Sequence, residues 1–197
     1  MTTLFQYPPC WNLPNASPFC MKVETFLRMN HLPYETAIQT DPRKSPKKKL
    51  PYINDNGQLI ADSSVIISYL TKKHGLCLDN KLSCEQKALA LSLQRLIEEH
   101  LYWIVVYSRW LEPSGWQITK SAYFSSLPAA LKRLAPWLVR RNTLKALYGQ
   151  GISRHTREDV YALGIADLGV IQQRLATQPF LLGETASSID ACAYAFI

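Results

Sequence analysis

The sequence predicts an α/β domain with a mixed sheet, followed by an all-helical domain. Three observations carry this. Up to about residue 75, short apolar runs alternate with amphipathic stretches. From Ser83 onward helical periodicity dominates and no strand pattern stands out. At 197 residues and 47% hydrophobic, the chain is long and apolar enough to bury a sizeable core, in one large domain or two small ones.

The elements follow in order. Thr3–Tyr7 reads as a strand, and Ser17–Asn30 as a helix with apolar positions at Phe19, Val23, Phe26 and Leu27. Tyr34–Gln39 reads as a second strand. Tyr52–Asn54 and Gln58–Ala61 flank Asp55-Asn56-Gly57, and Asn-Gly is a strong hairpin signal. Ser63–Lys73 returns to helix, with Val65, Ile66, Tyr69 and Leu70 on one face and Gly75 as the stop. In the order β-α-β-loop-β-β-α, a right-handed crossover pairs the first two strands in parallel.

Beyond this, Glu85–Leu111 is a long helical stretch, aromatic in its second half, that Pro113-Ser114-Gly115 is expected to end. Ala122–Tyr148 is a helical region that Pro128 and Pro136 should interrupt. Thr156–Ala176 is a third, opened by Thr156-Arg157-Glu158-Asp159. Ser187-Ser188-Ile189-Asp190 has the form of a capping box, and an apolar run follows it to Ile197. So short and apolar a helix must pack centrally, and the chain reads as truncated within that core helix. The expected organisation is an α/β domain over 1–74, a linker over 75–82 and a helical domain over 83–197.

Composition narrows the function classes. No apolar run is long enough to span a membrane, and Met1-Thr2-Thr3-Leu4 does not open a secretory signal. The five cysteines (Cys10, Cys20, Cys77, Cys84, Cys192) are scattered, with no metal-ligand spacing, which favours reduced thiols in a cytosol-like compartment. The net charge is +7, with a cluster at Arg43-Lys44-Ser45-Pro46-Lys47-Lys48-Lys49. Such a run suits a polyanion-binding patch, but a solvated loop is the simpler reading, since no aromatic platform or nucleic-acid module accompanies it.

The chemistry-bearing constellation is Ser17-Pro18-Phe19-Cys20 opening a helix, Leu50-Pro51-Tyr52 opening a strand, and Ala61-Asp62-Ser63-Ser64 opening a second helix. With Ser17–Met29, Lys49–Ile53 and Ile60–Ser64, Tyr102-Trp103, Arg109-Trp110, Gly183 and Ser187–Asp190, the whole chain resembles the glutathione S-transferase superfamily. Within it, the text is most similar to the metaxin-like and failed-axon-connections-like branch, including its bacterial members. The resemblance implies a thioredoxin-like first domain and a helical second one. It also implies a cytoplasmic, detoxification-type transferase that takes glutathione as co-substrate, with no metal and no nucleic-acid or membrane partner.

The resemblance also assigns roles. A proline at Pro51 is cis, Leu50 offers its backbone to the cysteinyl unit of glutathione, and Asp62-Ser63 at a helix N-terminus binds the γ-glutamyl group. Asp62 or Ser63 alone would be read as a helix cap. Ser17 matches the position that touches the sulfur, where its hydroxyl would stabilise the thiolate or simply cap the helix. Tyr7 is the rival donor. Cys20 sits at the second position of a Cys-x-x-Cys motif whose first cysteine is absent, so it reads as a packing residue and dithiol chemistry is disfavoured. A second substrate would lie near Trp11, Trp103, Tyr107, Arg109 and Trp110, although most of these aromatics equally suit a core. Family members are commonly homodimers. The competing readings are a non-catalytic metaxin-like interaction protein, of a kind associated with mitochondrial import, and an Omega-like thiol transferase, which needs a cysteine at position 17.

Overall fold

The computed structural model describes residues 1–125 and 127–197. They form two compact units, one of residues 1–94 with 174–197 and one of residues 95–173. The first holds β1 (Thr2–Gln6), α1 (Pro18–Met29), β2 (Tyr34–Ile38), β3 (Tyr52–Asp55), β4 (Gln58–Ala61), α2 (Ser63–His74) and α3 (Cys84–Arg95). After α3 comes a π-helical turn over Leu96–Leu101. The second unit holds α4 (Tyr102–Trp110), α5 (Pro113–Phe124), α6 (Leu134–Gln150) and α7 (Arg157–Leu175), and α8 (Ser188–Phe196) returns to the first.

The four strands lie in the order β2-β1-β3-β4. β1 and β2 pair in parallel, as the crossover argument requires, and β3 is antiparallel to both β1 and β4. The β3–β4 turn places Asn56 at φ 52 and Gly57 at φ 95, the two left-handed residues of a tight hairpin. Asp55 is a strand residue instead of a turn residue. Its carboxylate is buried and accepts from Thr2 Oγ1 at 3.2 Å, Tyr69 Oη at 2.7 Å and the Lys73 ammonium.

Leu4, Val23, Phe26, Leu27, Ile53, Ile66 and Leu70 form the core of the first unit, each no more than 1% exposed. Val65, expected on the buried face of α2, is 47% exposed, because the helix turns only Ile66 and Leu70 fully inward. Ala191 of α8 joins this cluster, so the final apolar helix is central to a core as expected. Asp190 accepts from Ser187 N at 2.8 Å, which is the acid half of the capping box. Within the stretch read as a linker, Asp79 accepts from both the backbone and the hydroxyl of Ser188.

Two helix boundaries depart from expectation. The helix before Pro113-Ser114-Gly115 ends at Trp110 as expected, but the same residues also open α5, because a first-turn proline loses no intrahelical bond. Pro136 likewise interrupts nothing, since α6 begins two residues before it. Ser126, within the predicted Ala122–Tyr148 region, lies outside the described residues.

A second buried carboxylate makes the first unit acid-sensitive. Burial alone would raise the Glu24 pKa. Hydrogen bonds from Gln6 (2.9 Å), Arg28 (2.6 Å) and Tyr34 (3.1 Å) outweigh it and hold the carboxyl below its ordinary value. Asp55 is lowered in the same way, burial being outweighed by Lys73, Tyr69 and Thr2. A carboxyl lowered on folding contributes stability above its unfolded pKa and loses it as pH falls through the folded value. The melting temperature should therefore fall on acidification through and below the ordinary carboxylate range. The Glu24→Gln variant should show a shallower fall, and an unchanged slope would count against this network.

Candidate functional site

Strand register brings the sequence motifs to one end of the sheet. Phe5 of β1 pairs with Tyr52 of β3, and Tyr52 pairs with Ala61 of β4. The residues just beyond these, Tyr7, Pro51 and Asp62, therefore leave the sheet at the same edge. Cys20, Leu50, Tyr52 and Ala61 pack as one buried cluster against Phe5 and Tyr7, and the Phe5 and Tyr52 rings stack at 4.4 Å. The first turn of α1, the loop before β3 and the exit of β4 thus converge.

Ser17 is the N-cap of α1 (φ −97, ψ 119), half-buried, with Pro18 opening the helix. Its carbonyl accepts from Cys20 N and Met21 N, both at 3.1 Å. Asn15, which the sequence reading did not single out, fixes this turn. It is 1% exposed, donates from Nδ2 to Tyr7 O at 2.5 Å and accepts from Ser17 N at 2.9 Å through Oδ1. One buried amide thus ties Tyr7 to Ser17 across the long Pro8–Ala16 stretch. The only sequence signal for it is an Asn two residues before a helix cap, which is too common to stand out.

Burial pushes the Cys20 thiol up to about 12, although hydrogen bonds to the Ser17 side chain and the Tyr7 backbone pull the other way. A thiol held that far above neutral pH is a poor nucleophile and packs as an apolar residue. In the native protein a thiol-reactive disulfide reagent should titrate the exposed Cys77 and Cys84, and Cys10 more slowly. The buried Cys20 and Cys192 should react only after denaturation. Fast reaction of Cys20 in a protein carrying that cysteine alone would overturn the packing role.

The Leu50–Pro51 bond is cis. Asp62, at φ 91, is the N-cap of α2, and its carboxylate accepts from Ser64 N at 3.0 Å and Val65 N at 3.3 Å. Ser63 is buried. Lys22, also missed by the sequence reading, reaches from α1 to this helix start. It is 3% exposed and donates to Ser64 Oγ at 3.0 Å and Ser63 Oγ at 3.5 Å. Gln94 adds a bond to Ser64 Oγ at 2.8 Å.

The residues expected near a second substrate divide between the units. Trp11, in the first, is half-buried in a tight turn with Asn12, both at positive φ, closed by Leu13 N donating to Cys10 O at 2.9 Å. In the second, Tyr107 is 5% exposed within a core of Ile104, Val106, Leu147, Ile152 and Val160, with Trp103 and Trp110 packed against it. Arg109 is half-buried on the same helix, and its charge opposes the burial that raises the Tyr102 hydroxyl pKa.

The family model for the glutathione S-transferase N-terminal domain matches residues 18–115. The isoprene-epoxide–glutathione S-transferase of Rhodococcus sp. is 36% identical over 98% of this chain and 84% of its own length. The chain belongs to the glutathione S-transferase family. Failed axon connections of Drosophila melanogaster is 32% identical over 98% of the chain, and metaxin-1 of Macaca fascicularis 26% over the same share, which places the chain in the metaxin-like branch. The chain spans only 49% and 63% of the lengths of those two proteins. Apo human glutathione S-transferase T1-1 superposes with a TM-score of 0.62 at 17% identity, covering 99% of this chain and 72% of that one. The family fold is a thioredoxin-like sheet domain with helical elements, and the described elements follow it.

Proposed function

We propose that this chain binds glutathione at the sheet edge described above and stabilises its thiolate for attack on a small electrophile. The observation that carries the proposal is the convergence of Ser17, Leu50-Pro51 and Asp62-Ser63 at one end of the sheet. On this reading residues 1–74 supply the glutathione-binding domain, and 75–82 link it to the helical region 83–197.

Ser17 supplies the hydrogen bond to sulfur. The neutral Cys20 sulfur is a weak acceptor, so the Ser17 hydroxyl can turn from it to donate to an incoming thiolate, a far stronger one. The α1 N-terminus adds a favourable field for the anion. The backbone beside cis-Pro51 meets the cysteinyl unit, and the α2 start at Asp62-Ser63 receives the γ-glutamyl group. Catalysis is then mainly positioning and charge stabilisation. The name of the Rhodococcus relative makes an epoxide the first electrophile to try, since a thiolate opens that strained ring without an acyl intermediate.

The deciding experiment is a calorimetric glutathione titration, followed by conjugation assays with an aryl halide and a small epoxide. Binding with turnover of either electrophile supports the proposal. Binding without turnover supports the alternative, a non-catalytic metaxin-like binding protein, and absence of binding removes the site itself.

A further inference from the structure

We propose that the exposed face of α6 docks on an anionic lipid bilayer, lying along its surface without crossing it. Residues 113–157 contain eight Lys or Arg and no Asp or Glu, against a net charge of +7 for the whole chain. The rest of the chain therefore sums to a net −1, its own basic run at Arg43–Lys49 being balanced by acids, whereas residues 113–157 carry no acid at all.

Helix α6 turns Pro136 and Leu147 inward and leaves the opposite stripe open. At helical spacing that stripe runs Leu134, Trp137, Leu138, Arg141, Lys145, Tyr148. Leu134 is 55% exposed, Trp137 54%, Leu138 42% and Tyr148 62%. Each aromatic carries a guanidinium over its ring, Arg141 at 5.3 Å from Trp137 and Arg154 at 4.6 Å from Tyr148. Exposed Lys132 and Arg133 precede the helix.

Leucines and an amphipathic Trp and Tyr interleaved with cations suit the boundary between lipid headgroups and acyl chains. Arg157 is paired with Glu112 at 2.9 Å, and the remaining positive charge, Arg141 and Lys145 on the open stripe, selects an anionic surface. A nucleic acid would use the cations but gain nothing from Leu134 and Leu138. A second copy of the chain would have to bring two acid-free segments together. Among the described residues no helix is long and apolar enough to cross a membrane, which is consistent with docking on its surface.

The test is co-sedimentation of the full chain with vesicles of phosphatidylcholine alone and of phosphatidylcholine with about one third phosphatidylglycerol. Binding should be at least about tenfold stronger to the anionic vesicles and should weaken with salt. It should fall about tenfold in Leu134→Ser/Trp137→Ser and, independently, in Arg141→Glu/Lys145→Glu. All four positions are exposed, and circular dichroism and melting should match the parent. If the apolar pair proves unfolded, the single variant Trp137→Ser takes its place, and if the charge pair does, Arg141→Gln takes its place. Three results would overturn the proposal. The first is no preference for anionic vesicles. The second is a loss in the charge variant with none in the apolar variant, which is the simple adsorption duplex DNA would also show. The third is a wild-type dimer that Leu134→Ser/Trp137→Ser converts to monomer, which would assign the face to a second copy.

Discussion

Ser17→Ala is expected to lower kcat/KM for conjugation about 10- to 30-fold, the share of the hydroxyl alone, while changing glutathione affinity at mildly acidic pH by no more than a few-fold. A free thiol titrates near 8.5, and lowering that by two units takes about 2.7 kcal/mol of preferential thiolate stabilisation. A charge-assisted hydrogen bond from Ser17 and the start of α1 are together of that size. Removing the hydroxyl leaves the helix terminus and the Asn15 bond to the Ser17 backbone in place, so the turn persists while the bond to sulfur is lost. The sign of the pH effect follows directly. With less thiolate stabilisation the bound thiol titrates higher, so the rising limb of the pH–rate profile moves toward alkaline pH, and the variant recovers most at high pH. Loss of rate without movement of that limb would point to a structural role. If Ser17→Ala is fully active and Tyr7→Phe is dead, Tyr7 is the donor.

The parts of the site that could be read in the sequence are those in which a local rule and a function share the same residues. Asp62 caps α2 and Ser17 caps α1, so the signals that start helices also locate the candidate binding groups. The Asn56-Gly57 turn fixed the β3–β4 register, and the register carries Pro51 and Asp62 to one edge. The residues left unread act over distance. Asn15 matters because Tyr7 O lies where its side chain ends, and Lys22 because α1 crosses the start of α2. Neither carries a periodicity or a motif of its own. Asp55 reads as part of the turn because it adjoins the Asn-Gly signal, and only tertiary structure reveals the three donors around it. Tyr107 shows the opposite ambiguity. An aromatic stripe at helical spacing is the same text whether it lines a pocket or a core, and here that residue is in the core.

The unexpected helix start at Pro113 also locates the glycine least tolerant of a side chain among the described residues. Pro-Ser-Gly after an apolar helix has the composition of a stop, but here α5 begins at once and must pass close to the end of α4. A Cβ on Gly115 would sit 1.9 Å from the backbone oxygen of Ser108 and 2.9 Å from its carbonyl carbon. Both are main-chain atoms, so no rotamer change relieves the clash, and α5 must move off α4. Gly115→Ala should therefore destabilise the protein by about 3 kcal/mol or more, at the upper end for overpacking, which lowers the melting temperature by about 10 °C. Gly169, in α7, is the contrast, because a Cβ there meets nothing within 4 Å. Gly169→Ala gains helix propensity and restricts the unfolded chain, so it should stabilise by about 0.5–1 kcal/mol. Opposite signs for one substitution at two helical glycines separate close approach from propensity. Were both variants to melt alike, the tight α4–α5 approach would be wrong, and with it the reading of Gly115 as a packing residue.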